Sequence, residues 1–211
     1  MDIIKLQDIN KSYGNKKVLV DLSLSISKGE FVAITGDSGK GKSTLLNIIG
    51  LLENIDSGNL LIDEEENIKI NSTKAMKVIR EKISYLFQNF ALVDEDTVNY
   101  NLNLALKYIK ISKNEKEERI KNALVDVGLE GHGKRKIYEL SGGEQQRVSI
   151  ARTMLKPSKI VLADEPTGSL DEGNAKVVLE LLRSLNKNGK TIVIVTHDKK
   201  LSAQCDRIIN L

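Results

Sequence analysis

The stretch Gly36-Asp37-Ser38-Gly39-Lys40-Gly41-Lys42-Ser43-Thr44 has the residue types and spacing of a loop that cradles phosphate. It fits G-x-x-x-x-G-K-[ST], with Gly36, Gly41, Lys42 and Ser43 in the defining places. Glycines let the backbone curl until several N–H groups point at one anion. Lys42 reaches the β- and γ-phosphates as a point charge, and the Ser43 hydroxyl can ligate Mg²⁺. A second cluster, Asp164-Glu165-Pro166, follows the apolar run Ile160 to Ala163. Two acids at the carboxyl end of a buried strand stand where open α/β sheets bind ligands. Asp164 suits Mg²⁺, directly or through water. Glu165 suits the polarisation of a water attacking the γ-phosphate. A third cluster is Leu140-Ser141-Gly142-Gly143-Glu144-Gln145-Gln146-Arg147. Locally it is a capping box, Ser141 as N-cap and Glu144 three residues on. That box does not explain two adjacent glycines at a helix start, which make a second anion site. Two such sites in one chain suggest that two copies share each nucleotide.

The elements that must position these clusters are legible in outline. Ile3 to Ile9 and Val18 to Ile26 alternate apolar with polar residues and predict two antiparallel strands, with Val18, Val20, Leu22, Leu24 and Ile26 on one face. Phe31 to Thr35 predicts the strand before the phosphate loop, and Lys42 to Leu52 the helix after it. A short strand at Asn59 to Asp63, a helix at Ser72 to Arg80 and a strand at Ile83 to Phe87 follow. From Asn89 to about Pro157 the pattern turns helical and more polar. Thr97 to Ile109 carries an apolar face, and Ser112 with Glu115 reads as a capping box opening the next helix. Beyond it come strands at Lys159 to Asp164 and Thr191 to Thr196, a helix at Glu172 to Asn188, and a last strand at Arg207 to Leu211. Continuous apolar strands alternating with helices imply a mainly parallel sheet covered on both faces.

The chain has 211 residues, enough for one α/β domain with an inserted subdomain. Its net charge of +3 gives no case for nucleic-acid binding. The one cysteine, Cys205, excludes an internal disulfide framework and suits a reducing compartment. The N-terminal residues lack the apolar core of a signal peptide. No apolar run approaches the ~18 residues of a membrane span, so a membrane role is expected to come through a partner.

Taken together, the motifs resemble the ATP-binding subunit of an ABC transporter. The matching parts are the phosphate loop at 36–44, Gln88, the 140–147 signature, the acidic strand end at 160–165, Ser169-Leu170-Asp171 and His197. The resemblance covers essentially the whole chain. It implies a P-loop NTPase core with a mainly parallel sheet, an N-terminal antiparallel β subdomain and an inserted helical subdomain. The core is expected at 1–88 and 158–211, with the insertion at about 89–157. It also implies roles. Tyr13 matches the aromatic that stacks on adenine, Gln88 the residue that senses Mg²⁺ and the attacking water, and His197 the switch histidine at the γ-phosphate. Ser169 and Asp171 match the loop that crosses the dimer interface. His132 matches nothing. Implied cofactors are ATP and Mg²⁺. Implied partners are a second copy, bound head to tail, and integral membrane permease subunits at the cytoplasmic face of a bacterial cell membrane. Phe90, Leu92 and Val93 offer an apolar socket for a permease helix, or equally plain core.

Ala163 to Asp171 looks like the subgroup serving macrolide, lipoprotein and antimicrobial-peptide systems. Phe87 to Thr97 and Lys136 to Ser141 resemble bacteriocin exporters of the lactococcin 972 group. Lys40 departs from the family pattern, which favours a small residue there. Three other readings compete. One is a soluble P-loop enzyme of another class, such as a GTPase or kinase; a GTPase would want N-K-x-D, and Asn186-Lys187-Asn188-Gly189 lacks the acid. A non-transport ABC ATPase acting on DNA or ribosomes resembles tandem cassettes or carries long coiled-coil insertions. A subunit energising mechanotransmission or lipoprotein release shares the same motifs.

Overall fold

The computed structural model describes residues 1–211. The chain forms two compact units. The first holds Met1–Tyr85, Ser158–Glu165 and Asn186–Leu211, and the second Leu86–Pro157 and Pro166–Leu185.

In the first unit, β1 (Asp2–Tyr13) and β2 (Lys16–Ser27) pair antiparallel, with Ile4 opposite Ile26 and Leu6 opposite Leu24. Alternation puts Ile4, Leu6 and Ile26 inside, and Ile9 joins them past an irregularity. It fails toward the hairpin. Register shifts between Leu6 and Ile9 and between Ile9 and Lys11 accompany left-handed Asp8 (φ 50°) and Asp21 (φ 45°). An irregularity of this kind swaps the faces of a strand. Leu19 is therefore buried, while Val20, expected inside, is 57% exposed.

β3 (Phe31–Thr35) leads through the glycine loop to α1 (Lys42–Ile49). This helix stops short of the expected Leu52, because Gly50 caps it and Leu51 turns left-handed. β4 (Ser57–Ile62) and β5 (Glu65–Glu66) extend the antiparallel sheet in the order β2-β1-β4-β5. α2 (Thr73–Lys82) starts at Ser72, whose hydroxyl accepts the Ala75 N–H, and β6 (Ile83–Leu86) follows it directly.

The second unit holds α3 (Val98–Ala105), α4 (Lys113–Asp126) and α5 (Gly142–Leu155), with short 3₁₀ turns at His132–Lys134 and Ile137–Glu139. Val98, Leu102 and Leu106 from the first helical segment meet Ile120, Leu124, Val148 and Ala151 in its core. Ser112 caps α4 by accepting the Glu115 N–H. The expected reciprocal half of that box is missing, since the Glu115 carboxylate is taken by Arg119 at 2.7 Å.

β7 (Ile160–Asp164), α6 (Glu172–Lys187), β8 (Thr191–Val195), α7 (Lys199–Ser202) and β9 (Arg207–Asn210) complete the chain. The strand order in the second sheet is β6-β7-β8-β3-β9, and β7, β8, β3 and β9 pair in parallel. Val161, Leu162, Val32 and Ile192 to Ile194 are fully buried, as continuous apolar strands require. Parallel pairing brings the carboxyl ends of β3, β7 and β8 to one end of the sheet. The phosphate loop, Asp164-Glu165 and His197 all emerge there.

Candidate nucleotide site

The loop between β3 and α1 is fixed by two glycines. Gly36 has φ 140°, and a Cβ there would lie 2.8 Å from the Leu211 carbonyl oxygen. Gly41, the N-cap of α1, has φ 89°, and a Cβ there would lie 2.8 Å from Val18 Cγ1 and 3.0 Å from Leu19 Cδ2. Asp37, Ser38, Gly39 and Lys40 are exposed along the loop. The Lys42 ammonium donates to the carbonyls of Gly36 and Asp37, 2.8 Å each. Its charge is thus held inside the curl of the loop, at the start of a helix whose N-terminus favours anions. Thr44 sits half-buried one turn into that helix.

The Ser43 hydroxyl donates to Asp164 Oδ1 at 3.4 Å, joining the start of α1 to the end of β7. Burial pushes the Asp164 carboxyl above the ordinary carboxylate range, and the neighbouring Glu165 charge adds to this, against the pull of Ser43 and Lys42. A half-buried carboxylate held up in this way is stabilised by a cation. Hydroxyl and carboxylate are the hard oxygen donors that Mg²⁺ takes alongside substrate phosphates. The pair fits that ion.

Glu165 has a left-handed backbone, φ 45°, rare for a residue of its kind and a mark of functional positions. Its N–H donates to the Val195 carbonyl at 2.9 Å, which locks the turn to the end of β8. Its carboxylate then meets the next residues of that strand end. Oε1 lies 2.7 Å from His197 Nδ1, and Oε2 accepts the Thr196 hydroxyl at 3.2 Å. Thr196 Oγ1 also accepts the Asp198 N–H at 3.0 Å, and Asp198 caps α7. The Glu165 side chain is 17% exposed and that of His197 76%. A sheltered carboxylate thus orients an imidazole that reaches toward solvent. Tyr13 ends β1, 48% exposed, with the Lys11 ammonium 5.0 Å from its ring centroid. Lys11 is itself buried and paired with Glu53 at 2.6 Å. The expected first strand ends at Ile9, but β1 runs on to Tyr13 and turns Lys11 inward, a support with no signal in the sequence.

Residues 19–168 match the family model described as ABC transporter. The chain belongs to the ABC transporter family. Its relatives include the macrolide export ATP-binding/permease protein MacB of Campylobacter jejuni, 44% identical over 209 residues, and that of Mannheimia succiniciproducens, 43% identical over 215. The matches cover 99% and 100% of this chain but 33% of each relative, so the chain spans about a third of their length. Among solved structures, a bacterial ABC transporter cassette determined as a dimer superposes with a TM-score of 0.90 at 39% identity. A dimeric cassette in a post-hydrolysis state with ADP and Pi gives 0.90 at 38%. Each comparison covers 99% of this chain and 94% of the other.

The remaining motif residues of this cassette lie in the second unit. Ser141 and Gly142 are exposed and Gly143 is buried at the start of α5. The capping box is complete. Ser141 Oγ accepts the Glu144 N–H, and Glu144 Oε2 accepts the Ser141 N–H at 2.8 Å. The Ser141 N–H, then its hydroxyl, hold the Glu144 carboxyl below the usual range despite partial burial, with Arg135 and His132 assisting. His132 Nε2 stands 3.5 Å and Arg135 Nη1 3.7 Å from Glu144 Oε1. His132 thus gains a partner in the signature that its loop setting did not reveal.

Gln88 is exposed just beyond β6, and Ser169 and Asp171 are exposed before α6. After Gln88 the chain turns through left-handed Phe90 (φ 61°) and Ala91 (φ 48°). Arg152 and Ser149 of α5 hold this turn. The guanidinium donates to the Ala91 and Phe90 carbonyls at 2.6 and 3.0 Å, and the Ser149 hydroxyl to Phe90 O at 3.2 Å. Fully buried Asn101 pins Val93 from both sides, accepting its N–H at 2.8 Å and donating to its carbonyl at 3.1 Å. Phe90 and Leu92 are half-buried and Val93 is 42% exposed. An asparagine on the apolar face of a predicted helix was the signal for this brace.

Proposed function

We propose that this cassette is the ATP-hydrolysing subunit of an exporter. Two copies work head to tail at the cytoplasmic face of a bacterial membrane and drive permease subunits carried on other segments or chains. No helix of the chain is long and apolar enough to cross a membrane, and the macrolide exporters it resembles join an ATP-binding part to a permease in their names. The antimicrobial-peptide class of cargo is the finer reading, resting on residues 87–97 and 136–141.

The observation that carries the proposal is the carboxylate–imidazole pair of Glu165 and His197, 2.7 Å apart at the strand ends that also bring Ser43 to Asp164. In the proposed cycle Lys42 exchanges the Gly36 and Asp37 carbonyls for the β- and γ-phosphates of ATP. Residues 36–44 supply the surrounding N–H groups, and Tyr13 stacks on the adenine. Ser43 and Asp164 would hold Mg²⁺, which would supply charge neutralisation at the phosphates, and Gln88 keeps the sensing role that the resemblance implies. Glu165 takes a proton from the attacking water. His197, held by Glu165, contacts the γ-phosphate. The first-turn N–H groups of Gly142 and Gly143, beside Ser141, complete the anion site from a second copy, with Ser169 and Asp171 at the junction between copies. The 89–157 insertion carries the motion to the permease through the Phe90–Val93 turn.

The test is Glu165→Gln. It keeps the side chain's shape but removes the base, so the variant is expected to accumulate as an ATP-bound dimer in size-exclusion chromatography with turnover reduced at least about 100-fold, the scale of a lost general base. A variant that stays monomeric at saturating ATP refutes the shared-site reading.

A further inference from the structure

Asn174 sits on the first turn of α6, three residues after Asp171, and no motif includes it. Its side chain is used at every atom that can bond. Asp171 Oδ1 accepts the Asn174 backbone N–H at 3.0 Å, and Asp171 Oδ2 accepts from the Asn174 amide at 2.5 Å. The other end of the amide, Oδ1, accepts from Arg147 Nη1 of α5 at 2.8 Å. Arg147 Nε is buried without a partner, so this contact is where its guanidinium finds compensation. The same Asn174 side chain also presses on the signature. A Cβ on Gly143 would stand 2.5 Å from Asn174 Cγ and from its Oδ1. One amide therefore touches the Asp171 loop on one side and both Gly143 and Arg147 of the signature helix on the other.

These contacts explain two features of the sequence in local terms. Gly143 is buried with a right-handed backbone, so conformational freedom does not demand a glycine there. The amide of Asn174 does, by occupying the space of a side chain. Asn174 can also face both ways at once because an amide is donor and acceptor together. Aspartate there would repel Asp171, and a leucine would strand Arg147.

We propose that Asn174 is a positioning residue that locks the Asp171 loop to the start of α5, so that the two surfaces offered to a second copy move as one. The inference rests on the head-to-tail reading above. It adds that the loop and the helix start are not independent contacts. Loss of the link lowers dimer affinity without touching the phosphate loop, Asp164, Glu165 or His197, all of which lie in the other unit.

The experiment uses the full chain in the Glu165→Gln background, with ATP as the probe. Asn174→Ala is expected to raise the dimer dissociation constant at least about tenfold while ATP affinity of the dilute single chain stays within about twofold. The link itself is read by amide hydrogen exchange in the nucleotide-free single chain, where Asn174→Ala is expected to speed exchange at both 169–171 and 141–144 and to leave 36–44 unchanged, which a general loosening of the chain would not produce. The proposal is overturned if Asn174→Ala dimerises like its parent. It is also overturned if the alanine variant is impaired while exchange at 169–171 and 141–144 stays that of the parent. Should Glu165→Gln itself remain monomeric, the head-to-tail reading fails first and takes this inference with it.

Discussion

Gly39 and Gly41 occupy the same loop with nearly the same left-handed backbone, φ 81° and 89°, yet their surroundings differ. Nothing lies within 4 Å of a Cβ at Gly39, whereas one at Gly41 meets Val18 Cγ1 at 2.8 Å, Leu19 Cδ2 at 3.0 Å and the Val18 carbonyl at 3.2 Å. Alanine at either position bears the left-handed conformational cost of about 1–2 kcal/mol. That term is common to both and cancels in their difference. What remains for Gly41→Ala is overpacking against β2, about 1–3 kcal/mol. In a chain of this size about 2 kcal/mol corresponds to roughly 4–8 °C in thermal midpoint. Thermal unfolding of both variants without nucleotide should therefore place Gly41→Ala about that far below Gly39→Ala. ATP affinity should fall more steeply for Gly41→Ala as well. Its backbone must retreat from β2, which moves the N-terminus of α1 and the Lys42 that follows. Equal midpoints for the two variants would falsify the steric argument and leave only the backbone term.

Predictions at two carboxylates, both electrostatic, accompany it. Asp63 takes Lys159 at 3.0 and 2.9 Å and Lys82 at 3.1 Å. Burial alone would raise its carboxyl, but the two ammonium groups hold it below the usual range. Asp63→Asn, chosen because asparagine tolerates the left-handed backbone there, should destabilise by about 1–2 kcal/mol, between the exposed and buried limits for ion pairs. A depressed carboxyl stabilises above its unfolded pKa of about 3.9 and loses that contribution as pH falls through the folded value. The deficit of the variant should therefore close below about pH 4 in denaturant titrations, and a deficit unchanged in acid argues against the ion pairs. Asp164 has the opposite sign. Its raised carboxyl costs stability once pH climbs past its folded value, so Asp164→Asn should equal or exceed the parent in nucleotide-free thermal stability at neutral pH, with the advantage vanishing in acid. The variant should also lose the stabilisation that Mg²⁺ with ATP gives the parent. A nucleotide-free Asp164→Asn clearly less stable at neutral pH would contradict the burial argument.

What was legible in the sequence follows a physical division. Side chains whose chemistry depends on local spacing could be read directly. The phosphate loop needs its glycines and lysine within nine residues, and Ser141 with Glu144 needs only one helical turn. The parallel sheet was legible too, because strands buried on both faces write continuous apolar runs. Features set by long-range register or by single backbone torsions were not. The irregularity that exposes Val20 and buries Leu19 leaves the β2 alternation intact on paper. The half-made box at Ser112 and the complete one at Ser141 have the same sequence form. They differ because Arg119 claims the Glu115 carboxylate, while Glu144 has Arg135 and His132 beside its far oxygen and keeps its near one for the cap.

The same division separates the motif residues, legible in the sequence, from the side chains that brace them. The roles proposed for Lys42, Glu165 and His197 rest on chemistry that a nucleotide would meet, so residue type alone points to them. Arg152, Asn101, Lys11 and Asn174 act on other parts of the protein, and their types are ordinary for a helix or a strand. Yet their bonds impose geometry that the motifs cannot impose on themselves. The left-handed turn at Phe90 and Ala91 is costly for non-glycine residues and persists because Arg152 and Ser149 take up its carbonyls. Glu165 is held in a similar conformation by the Val195 carbonyl and Thr196. In both places the strained turn lies shortly after a strand, and an element distant in sequence, α5 in one case and the end of β8 in the other, supplies the hydrogen bonds that fix it. A strained turn of this kind has few alternative arrangements. A change in its bracing partner should therefore move the turn as a step rather than a drift, which is the behaviour a subunit needs if closing around a nucleotide is to be passed on to a membrane partner.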